Sequence, residues 1–243
     1  MKEPFTEVKA SPKTVLSFGA GVNSVALLIL RKLGKVQFDY VVFADTGAEH
    51  PETYQYIEEV CIPLCKEIGI PFMRVGSPTL YEDYYEKKII PFRMFRSCTD
   101  RYKIRPIRKW IEANLREATI LIGIDAGESQ RAKYSGAFAY PLIELGIDRE
   151  GCQRIIEGNG YPLPIKSGCY FCPFTDLKGW IILHRDHKDL FLKAEGFEQN
   201  CRAYPTYHLT DQVLKNLRLA IESQTSLDKW TCQKGEACVF CHE

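Results

Sequence analysis

The stretch from Ser17 to Ser24 reads Ser-Phe-Gly-Ala-Gly-Val-Asn-Ser and combines small residues with polar side chains that could bind an anion. The run Thr14–Leu16 before it predicts the end of a buried strand, and the run Val25–Leu30 after it predicts a buried helix. Small residues let the backbone approach a ligand, and Asn23 or Ser24 can cap the helix while its first N–H groups point outward. We therefore predict a strand, a tight turn and a helix N-terminus that together bind an anion.

Cysteines are the second set of residues that could do chemistry. Ten of them occur in 243 residues, and the sequence shows neither an export signal nor an apolar run as long as a membrane span. We expect a cytoplasmic protein, not bound to a membrane, whose cysteines bind a metal or carry out redox chemistry. Cys169 and Cys172 form a C-x-x-C pair followed by Pro173, which is common in iron–sulfur and zinc sites. Cys238 and Cys241 could complete a structural Cys₄ zinc site, and a cluster built from scattered cysteines is the alternative.

The segments that position these residues alternate between strand-like and helix-like patterns. Strands are predicted over Phe38–Ala44, Pro71–Val75 and Ala118–Ile124, and a helix over Pro51–Ile68 lies between the first two. This β-α-β-α-β order predicts an α/β fold with a Rossmann-like, doubly wound, mostly parallel sheet. In such sheets, polar segments that follow the strands provide the ligand contacts.

The composition changes near Gly146, where Cys, Pro and Gly become frequent and the strand-like runs stop. Helices are predicted farther on, over residues 176–195 and 210–223. We therefore expect an α/β domain over residues 1–145 and a small, cysteine-rich, mainly helical unit over residues 146–243.

Three segments, taken in order, resemble the N-type ATP pyrophosphatases and the phosphoadenylylsulfate (PAPS) reductases. The first loop is similar to their pyrophosphate loop, Ser-x-Ser-Gly-Gly-x-Asp-Ser, with Gly19, Ala20 and Asn23 where the pattern has Ser, Gly and Asp. Asp45–Thr53 reads Asp-Thr-Gly-Ala-Glu-His-Pro-Glu-Thr, similar to the motif after their second strand. Gly123–Arg131 resembles a later segment with Gly, Glu-Ser and Arg in that order.

This resemblance implies an adenine nucleotide α-hydrolase-like fold that splits ATP between its α and β phosphates and adenylates an acceptor, with Mg²⁺. Asp45 and Thr46 would lie near the adenosine or Mg²⁺. The nucleotide-binding residues that it implies are Ser17, Gly19, Ala20, Gly21, Asn23, Ser24, Asp45, Thr46 and Gly123. The catalytic residues that it implies are Asn23, Ser24, Lys103 and Arg131.

The cysteines resemble those of PAPS reductase relatives that carry Arg-x-Cys-Thr-x-x-x-Lys-x-x-Pro, then Asp-Cys or a similar pair, then Ser-x-Cys-x-Phe-Cys-Pro. Arg96–Pro106, Gly151–Cys152 and Ser167–Pro173 match these patterns. The implied cofactor is a 4Fe–4S cluster, with structural zinc as the alternative. Its expected ligands are Cys98, Cys152, Cys169 and Cys172, with Cys201 in reserve and the roles of Cys232, Cys238 and Cys241 open.

A basic segment runs from Lys87 to Arg116, with ten basic and two acidic residues in a chain of net charge +1. Aromatic residues, including Phe95 and Trp110, are interleaved with the basic ones. One interpretation is a surface for a phosphate-rich partner, with the aromatics available for stacking. The other is a solvated helix whose aromatics face the core.

Within the superfamily, the chain looks most like the ATP pyrophosphatase component of DNA phosphorothioation systems. That resemblance implies sulfur incorporation with a cysteine desulfurase as donor, DNA or a DNA-modifying protein as partner, and leaves a homo-oligomer open. A tRNA thiolation enzyme, an adenylyl sulfate or PAPS reductase, and a non-catalytic nucleotide-sensing or nucleic-acid-binding module are the alternatives.

Overall fold

The computed structural model describes residues 12–77, 79–115, 117–133, 136–203 and 206–223. The chain forms two compact units, which we call the sheet unit and the cysteine unit. Among the described residues, the sheet unit comprises 12–45, Pro51–Gly76 and Lys103–Ser167. The cysteine unit comprises Thr46–His50, Ser77–Tyr102 and the described residues from Gly168 to Ser223.

These units divide the chain differently from the expected boundary at residue 145. Helix α8, Arg149–Gly158, belongs to the sheet unit because it packs against α1, Val22–Lys32. The change in composition near Gly146 therefore does not coincide with a change of packing unit, since composition is a local property and packing joins distant segments.

Five parallel strands form the sheet in the part of the chain that the structure describes. They are β1 Lys13–Phe18, β2 Tyr40–Ala44, β3 Phe72–Val75, β4 Ala118–Ile122 and β5 Phe138–Ala139. Their order across the sheet is β3-β2-β1-β4-β5. The chain moves outward from β1 to β3 and then returns to the other side of β1, so the strand order reverses between β1 and β4. In α/β sheets, this reversal opens a crevice at the carboxyl ends of the strands.

Helices cover both faces of the sheet, which confirms the doubly wound α/β class. Consecutive β1 residues point to opposite faces: Val15 packs in the core that contains α6 residues, and Leu16 packs in the core with α1 and α8. Besides α1 and α8, the sheet unit contains α2 Pro51–Tyr56, π-helical Ile57–Cys61, α3 Ile62–Glu67, α6 Arg105–Asn114, the 3₁₀ helix Ala126–Arg131 and α7 Pro141–Glu144. A π-helical turn over Asp100–Ile104 precedes α6.

The described part of the cysteine unit is helical, around a core that includes Phe171, Trp180, Phe191 and Phe197. The helix expected over residues 176–195 is two helices, because His187 between them has non-helical φ and ψ of −139° and 63°. The helices are α4 Leu80–Glu86, α5 Ser97–Thr99, α9 Leu177–Asp186, α10 Lys188–Asn200 and α11 Leu214–Ser223. Within the described ranges, no helix combines the length and apolar character that crossing a membrane requires.

Candidate functional site

The turn between β1 and α1 leaves the N-terminus of a buried helix open. Ala20 has a φ of +55°, in the left-handed region, and Gly21 is the N-cap residue of α1. No described side chain caps α1, and its first turn contains no acidic residue. The first N–H groups and the positive end of the helix dipole are therefore available to an anion.

Gly123 and Gly19, two glycines in this region, differ in the space that a side chain would have. A Cβ on Gly123 would lie 3.2 Å from the Ser24 nitrogen, so Gly123 allows the end of β4 to approach the first turn of α1. A Cβ on Gly19 would meet no described atom within 4 Å. The protein packing does not require glycine at position 19, and the open space beside it suits a ligand that approaches the backbone.

Asn23 does not cap α1, contrary to the expectation that Asn23 or Ser24 would do so. Its Nδ2 donates to the Gly123 carbonyl at 3.1 Å and to Asp125 Oδ2 at 2.9 Å. The Ser24 hydroxyl donates to the Gly21 carbonyl at 3.0 Å. The Asn23 side chain therefore joins the first turn of α1 to the segment after β4, and its Oδ1 is buried without a partner among the described atoms.

Asp45 follows β2 and is held inside the sheet unit. Tyr54 Oη donates to its Oδ1 at 2.7 Å, and Arg74 Nε lies 4.0 Å from its Oδ2. A Cβ on Gly76, whose φ is +102°, would lie 2.9 Å from the Asp45 carbonyl oxygen. The chain therefore requires Gly76 at this place, where β3 ends beside the end of β2.

Thr46 belongs to the cysteine unit, although it is the next residue in the chain. Its side chain is buried, and its Oγ1 accepts the Ala48 N–H at 3.3 Å. The same oxygen lies 3.7 Å from Cys169 Sγ. Thr46 thus contacts one of the predicted metal ligands.

The remaining predicted nucleotide-site residues all lie in the sheet unit. Ser17 lies in β1, in register with Val42 and Ile122 of the flanking strands. Lys103 is half-buried in the π-helical turn. Arg131 ends the 3₁₀ helix, and its guanidinium forms an ion pair with Glu128 three residues earlier. The roles of these residues stay predictions.

Three of the four predicted cluster ligands, Cys98, Cys169 and Cys172, lie in the cysteine unit. The Cys172 N–H donates to the Cys169 carbonyl at 2.9 Å, so the C-x-x-C pair forms a tight turn. Cys201 is buried in the core against which Cys98 and Cys169 pack. No disulfide joins the seven cysteines in the described ranges, and no three Cys, His, Asp or Glu side chains there converge as a preformed metal site.

Cys152, the fourth predicted ligand, lies in α8 and is fully buried in the core of the sheet unit. Burial, and secondarily the nearby carboxylate of Asp125, raises the pKa of its thiol to about 12. The side chain is therefore a neutral thiol that packs as an apolar group. Its role as a ligand stays a prediction, and Cys232, Cys238 and Cys241 lie outside the described residues.

The aromatic residues of the basic segment are divided between core and surface. Tyr102 is buried, and Trp110 packs edge-on against Tyr40 with ring centroids 5.3 Å apart. Met94 and Phe95, in contrast, are 76% and 73% exposed, the highest values among the described large apolar side chains. The solvated-helix interpretation therefore fits the second half of the segment, and the first half presents an exposed loop.

That exposed loop, residues 92–96, is attached to the C-x-x-C turn. Arg93 Nε donates to the Pro173 carbonyl at 2.5 Å, and the Arg96 guanidinium lies 4.8 Å from the centre of the Phe174 ring. Arg96 itself has a φ of +45°. The loop and the turn thus form one surface with cationic and aromatic groups.

Sequence reasoning did not identify Asp125, the 3%-exposed carboxylate that accepts the Asn23 hydrogen bond. One signal was present, because the pyrophosphate-loop pattern has an acid where this chain has Asn23, so an acid elsewhere could compensate. The pairing itself needed the structure, since it joins residues 102 positions apart.

The family model of the phosphoadenosine phosphosulfate reductase domain matches residues 13–137, half of this chain. An uncharacterized protein of Methanocaldococcus jannaschii is 34% identical over 127 residues, which cover 51% of this chain and 25% of that protein. The uncharacterized nin region protein ORF290 of Escherichia phage lambda is 32% identical over 190 residues, which cover 65% of this chain and 64% of that protein. The chain thus spans less than two thirds of these curated relatives.

Two solved structures are similar at low sequence identity. PAPS reductase from Candida auris, in complex with phosphate, is 16% identical with a TM-score of 0.45, over 65% of this chain and 76% of that one. The U34-tRNA thiolase NcsA from Methanococcus maripaludis, with its 4Fe–4S cluster, is 15% identical with a TM-score of 0.46, over 86% of this chain and 81% of that one.

Proposed function

Because the chain belongs to the phosphoadenosine phosphosulfate reductase domain family, we propose that it is an ATP pyrophosphatase that activates an acceptor for sulfur incorporation. The observation that carries this proposal is the open N-terminus of α1 beside Gly19, at the strand-order reversal of the sheet. A helix end without an acidic first turn favours a polyphosphate, and the space beside Gly19 lets it reach the backbone.

In the proposed reaction, an acceptor oxygen attacks the α-phosphorus of ATP and the bond to the β-bridging oxygen breaks. Pyrophosphate leaves, and the acceptor carries AMP until a sulfur nucleophile displaces it. The backbone N–H groups at the start of α1 hold the leaving pyrophosphate, and the hydrogen bonds of the Asn23 and Ser24 side chains keep this first turn in place. Lys103 and Arg131 offset the developing charge, and Arg131 exchanges its ion pair with Glu128 for a phosphate oxygen.

Mg²⁺ supplies charge neutralisation on the phosphates in such a reaction. Asp45 is the carboxylate that the family resemblance assigns near it, and Tyr54 Oη holds one of its oxygens at 2.7 Å. This hydrogen bond restricts the carboxylate to one orientation, which suits a residue that binds a cation with its other oxygen.

A 4Fe–4S cluster, which handles sulfur or transfers electrons, is part of the proposal. Thiolates are the donors that such a cluster takes, and three of the predicted ligands lie in one compact unit. We propose DNA as the acceptor, in a phosphorothioation pathway, and a cysteine desulfurase as the sulfur donor. A tRNA acceptor is the closest alternative, and both place the activated oxygen on a nucleic acid.

The experiment that tests the proposal compares Gly19→Asp with Gly158→Asp. Both glycines are exposed, and a Cβ at either position meets no described atom within 4 Å, so both variants should fold. Only Gly19→Asp adds a carboxylate beside the open helix end, where it repels the phosphates, and we expect it to abolish Mg-ATP binding and pyrophosphate release. Gly158→Asp, at the end of α8, should behave as the unaltered protein does.

The outcomes separate the competing functions. Equal ATP binding by Gly19→Asp and the unaltered protein would contradict the proposed site. Tight ATP binding with no pyrophosphate released, with any tested acceptor, would identify a nucleotide-sensing module instead. Reduction of adenylyl sulfate or PAPS with thioredoxin, lost in Cys241→Ser, would identify an oxidoreductase.

A further inference from the structure

Asp125 is a buried carboxylate next to the proposed phosphate site. It is 3% exposed and is the N-cap residue of the 3₁₀ helix Ala126–Arg131. Its Oδ2 accepts the hydrogen bond from Asn23 Nδ2 at 2.9 Å. A buried polar group is costly unless it is hydrogen-bonded, so the folded protein gains by keeping this bond.

This hydrogen bond needs an amide at position 23 that donates and a carboxylate at position 125 that accepts. The Asn23 amide donates both to Asp125 and to the Gly123 carbonyl. An aspartate at position 23 could donate to neither, and it would place two carboxylates within hydrogen-bonding distance. An amide at position 23 is therefore matched to a carboxylate at position 125.

We propose that Asp125 is a positioning residue of the phosphate site: it fixes the Asn23 amide and, through it, holds the first turn of α1 against the end of β4. In the pyrophosphate-loop pattern, the carboxylate stands on the helix. In this chain the residue at that position is Asn23, and the carboxylate belongs to Asp125, to which Asn23 is hydrogen-bonded. The first turn of α1 therefore contains no acidic residue. This arrangement favours an anion at the helix end, because no carboxylate stands on the first turn itself.

The inference rests on the proposed function and deepens it. Its test uses three variants of the full chain, Asn23→Asp, Asp125→Asn and the exchange variant Asn23→Asp/Asp125→Asn. Asn159→Asp is the matched control, because Asn159 Nδ2 also donates to a backbone carbonyl, that of Ile155 at 2.8 Å. Mg-ATP affinity is measured by calorimetry, and the unfolding midpoint is measured in parallel.

We expect Asn23→Asp to weaken Mg-ATP binding about tenfold or more, since it brings two carboxylates together at the helix end. Asp125→Asn keeps an oxygen that accepts from Asn23, so its loss should be smaller. The exchange variant restores an amide–carboxylate hydrogen bond in the reverse direction and should recover part of the affinity, because the Gly123 carbonyl still lacks its donor and a carboxylate remains in the first turn of α1. Asn159→Asp should leave the affinity unchanged.

Recovery in the exchange variant shows that the two positions act as a pair, because contacting residues couple whereas independent defects add. Weaker Mg-ATP binding by Asn23→Asp at an unchanged unfolding midpoint is the result that a merely structural role does not give. Affinity in Asn23→Asp equal to that of the unaltered protein, or an exchange variant no better than Asn23→Asp, would overturn the inference. Absence of Mg-ATP binding by the unaltered protein would instead overturn the proposed function, and the inference with it.

Discussion

The hydroxyl oxygen of Thr46 lies 3.7 Å from the sulfur of Cys169, although 123 positions separate the two residues. The neighbouring backbone pairs as well, since the Tyr170 N–H donates to the Ala48 carbonyl at 2.9 Å and Glu49 forms an antiparallel bridge with Cys169. The segment after Asp45 and the C-x-x-C turn are thus one structural element. A contact with the sulfur of a proposed cluster ligand makes Thr46 a residue that can tune the cluster.

We expect Thr46→Val to change the reduction potential and the visible spectrum of the proposed cluster while iron per chain stays the same. The substitution keeps the shape of the side chain but removes the oxygen near Cys169 and the acceptor of the Ala48 N–H. Potentiometry on anaerobically purified protein measures the effect. Thr53→Val is the control, because the buried Thr53 hydroxyl has no partner among the described atoms. An unchanged potential in Thr46→Val would contradict a role of Thr46 in tuning the proposed cluster.

The exposed loop of residues 92–96 provides a test of the nucleic-acid partner. We expect Phe95→Ala to weaken binding of single-stranded DNA about tenfold, because stacking of a base on an aromatic ring contributes ~1–3 kcal/mol. Arg96→Ala should lower the dependence of affinity on salt concentration, since one fewer cation contacts the backbone. Fluorescence anisotropy across a salt series measures both.

Leu219→Ala is the control for Phe95→Ala, because Leu219 is also an exposed apolar residue but lies on α11. Equal DNA affinity of Phe95→Ala and Leu219→Ala would remove the loop from the proposed interface. Stronger binding to RNA than to DNA, with the same loss in Phe95→Ala, would favour tRNA as the acceptor.

The carboxylate of Glu198 connects α10 to the start of α11. Its two oxygens accept the backbone N–H groups of Leu209 and Leu214, at 2.8 and 2.7 Å, and the residue is buried. Glu198→Ala leaves both buried N–H groups without an acceptor, so we expect a loss of about 2–4 kcal/mol in the free energy of unfolding, measured in urea. Glu222→Ala, on the exposed side of α11, should cost much less.

Glu198 also predicts a pH dependence. Burial raises the pKa of Glu198 above its ordinary value of 4.5, although the two backbone hydrogen bonds act in the opposite direction. The folded protein therefore binds this proton more tightly than the unfolded chain does. The contribution of Glu198 to the free energy of unfolding falls as the pH rises from 4.5 through the folded-state pKa. The difference in unfolding free energy between the unaltered protein and Glu198→Gln, followed across this range, should show that slope. A difference that does not vary with pH would contradict it.

The sequence predicted the sheet well because buried parallel strands are continuous apolar runs, as Tyr40–Ala44 and Ala118–Ile122 are. It did not predict β5, Phe138–Ala139, because two residues carry no periodic signal. The open turn at Gly19–Gly21 followed from residue type. The partner of Asn23 did not, since a side-chain amide can cap its own helix or bond across the sheet, and only the tertiary position of Asp125 decides between them.

Cysteine variants can identify the fourth ligand of the proposed cluster, which is either Cys152 or Cys201. Cys98, Cys169, Cys172 and Cys201 lie in the cysteine unit, whereas Cys152 is a neutral thiol in the core of the sheet unit. We expect Cys169→Ser to lose most of its iron and Cys201→Ser to lose iron as well. Iron and acid-labile sulfide per chain, with the visible spectrum, measure this.

Cys152→Ser should retain iron but unfold more easily, because it buries a hydroxyl in an apolar core at a cost of about 1–3 kcal/mol. Cys61→Ser is the control for that cost, since Cys61 is equally buried in the same core and in no predicted ligand set. If Cys152→Ser lost its iron and Cys201→Ser kept it, the ligand set expected from the sequence would hold, and the thiol of Cys152 would have to leave the core to bind the cluster. One zinc and no iron in the unaltered protein would replace the cluster by a structural metal site and remove the redox role.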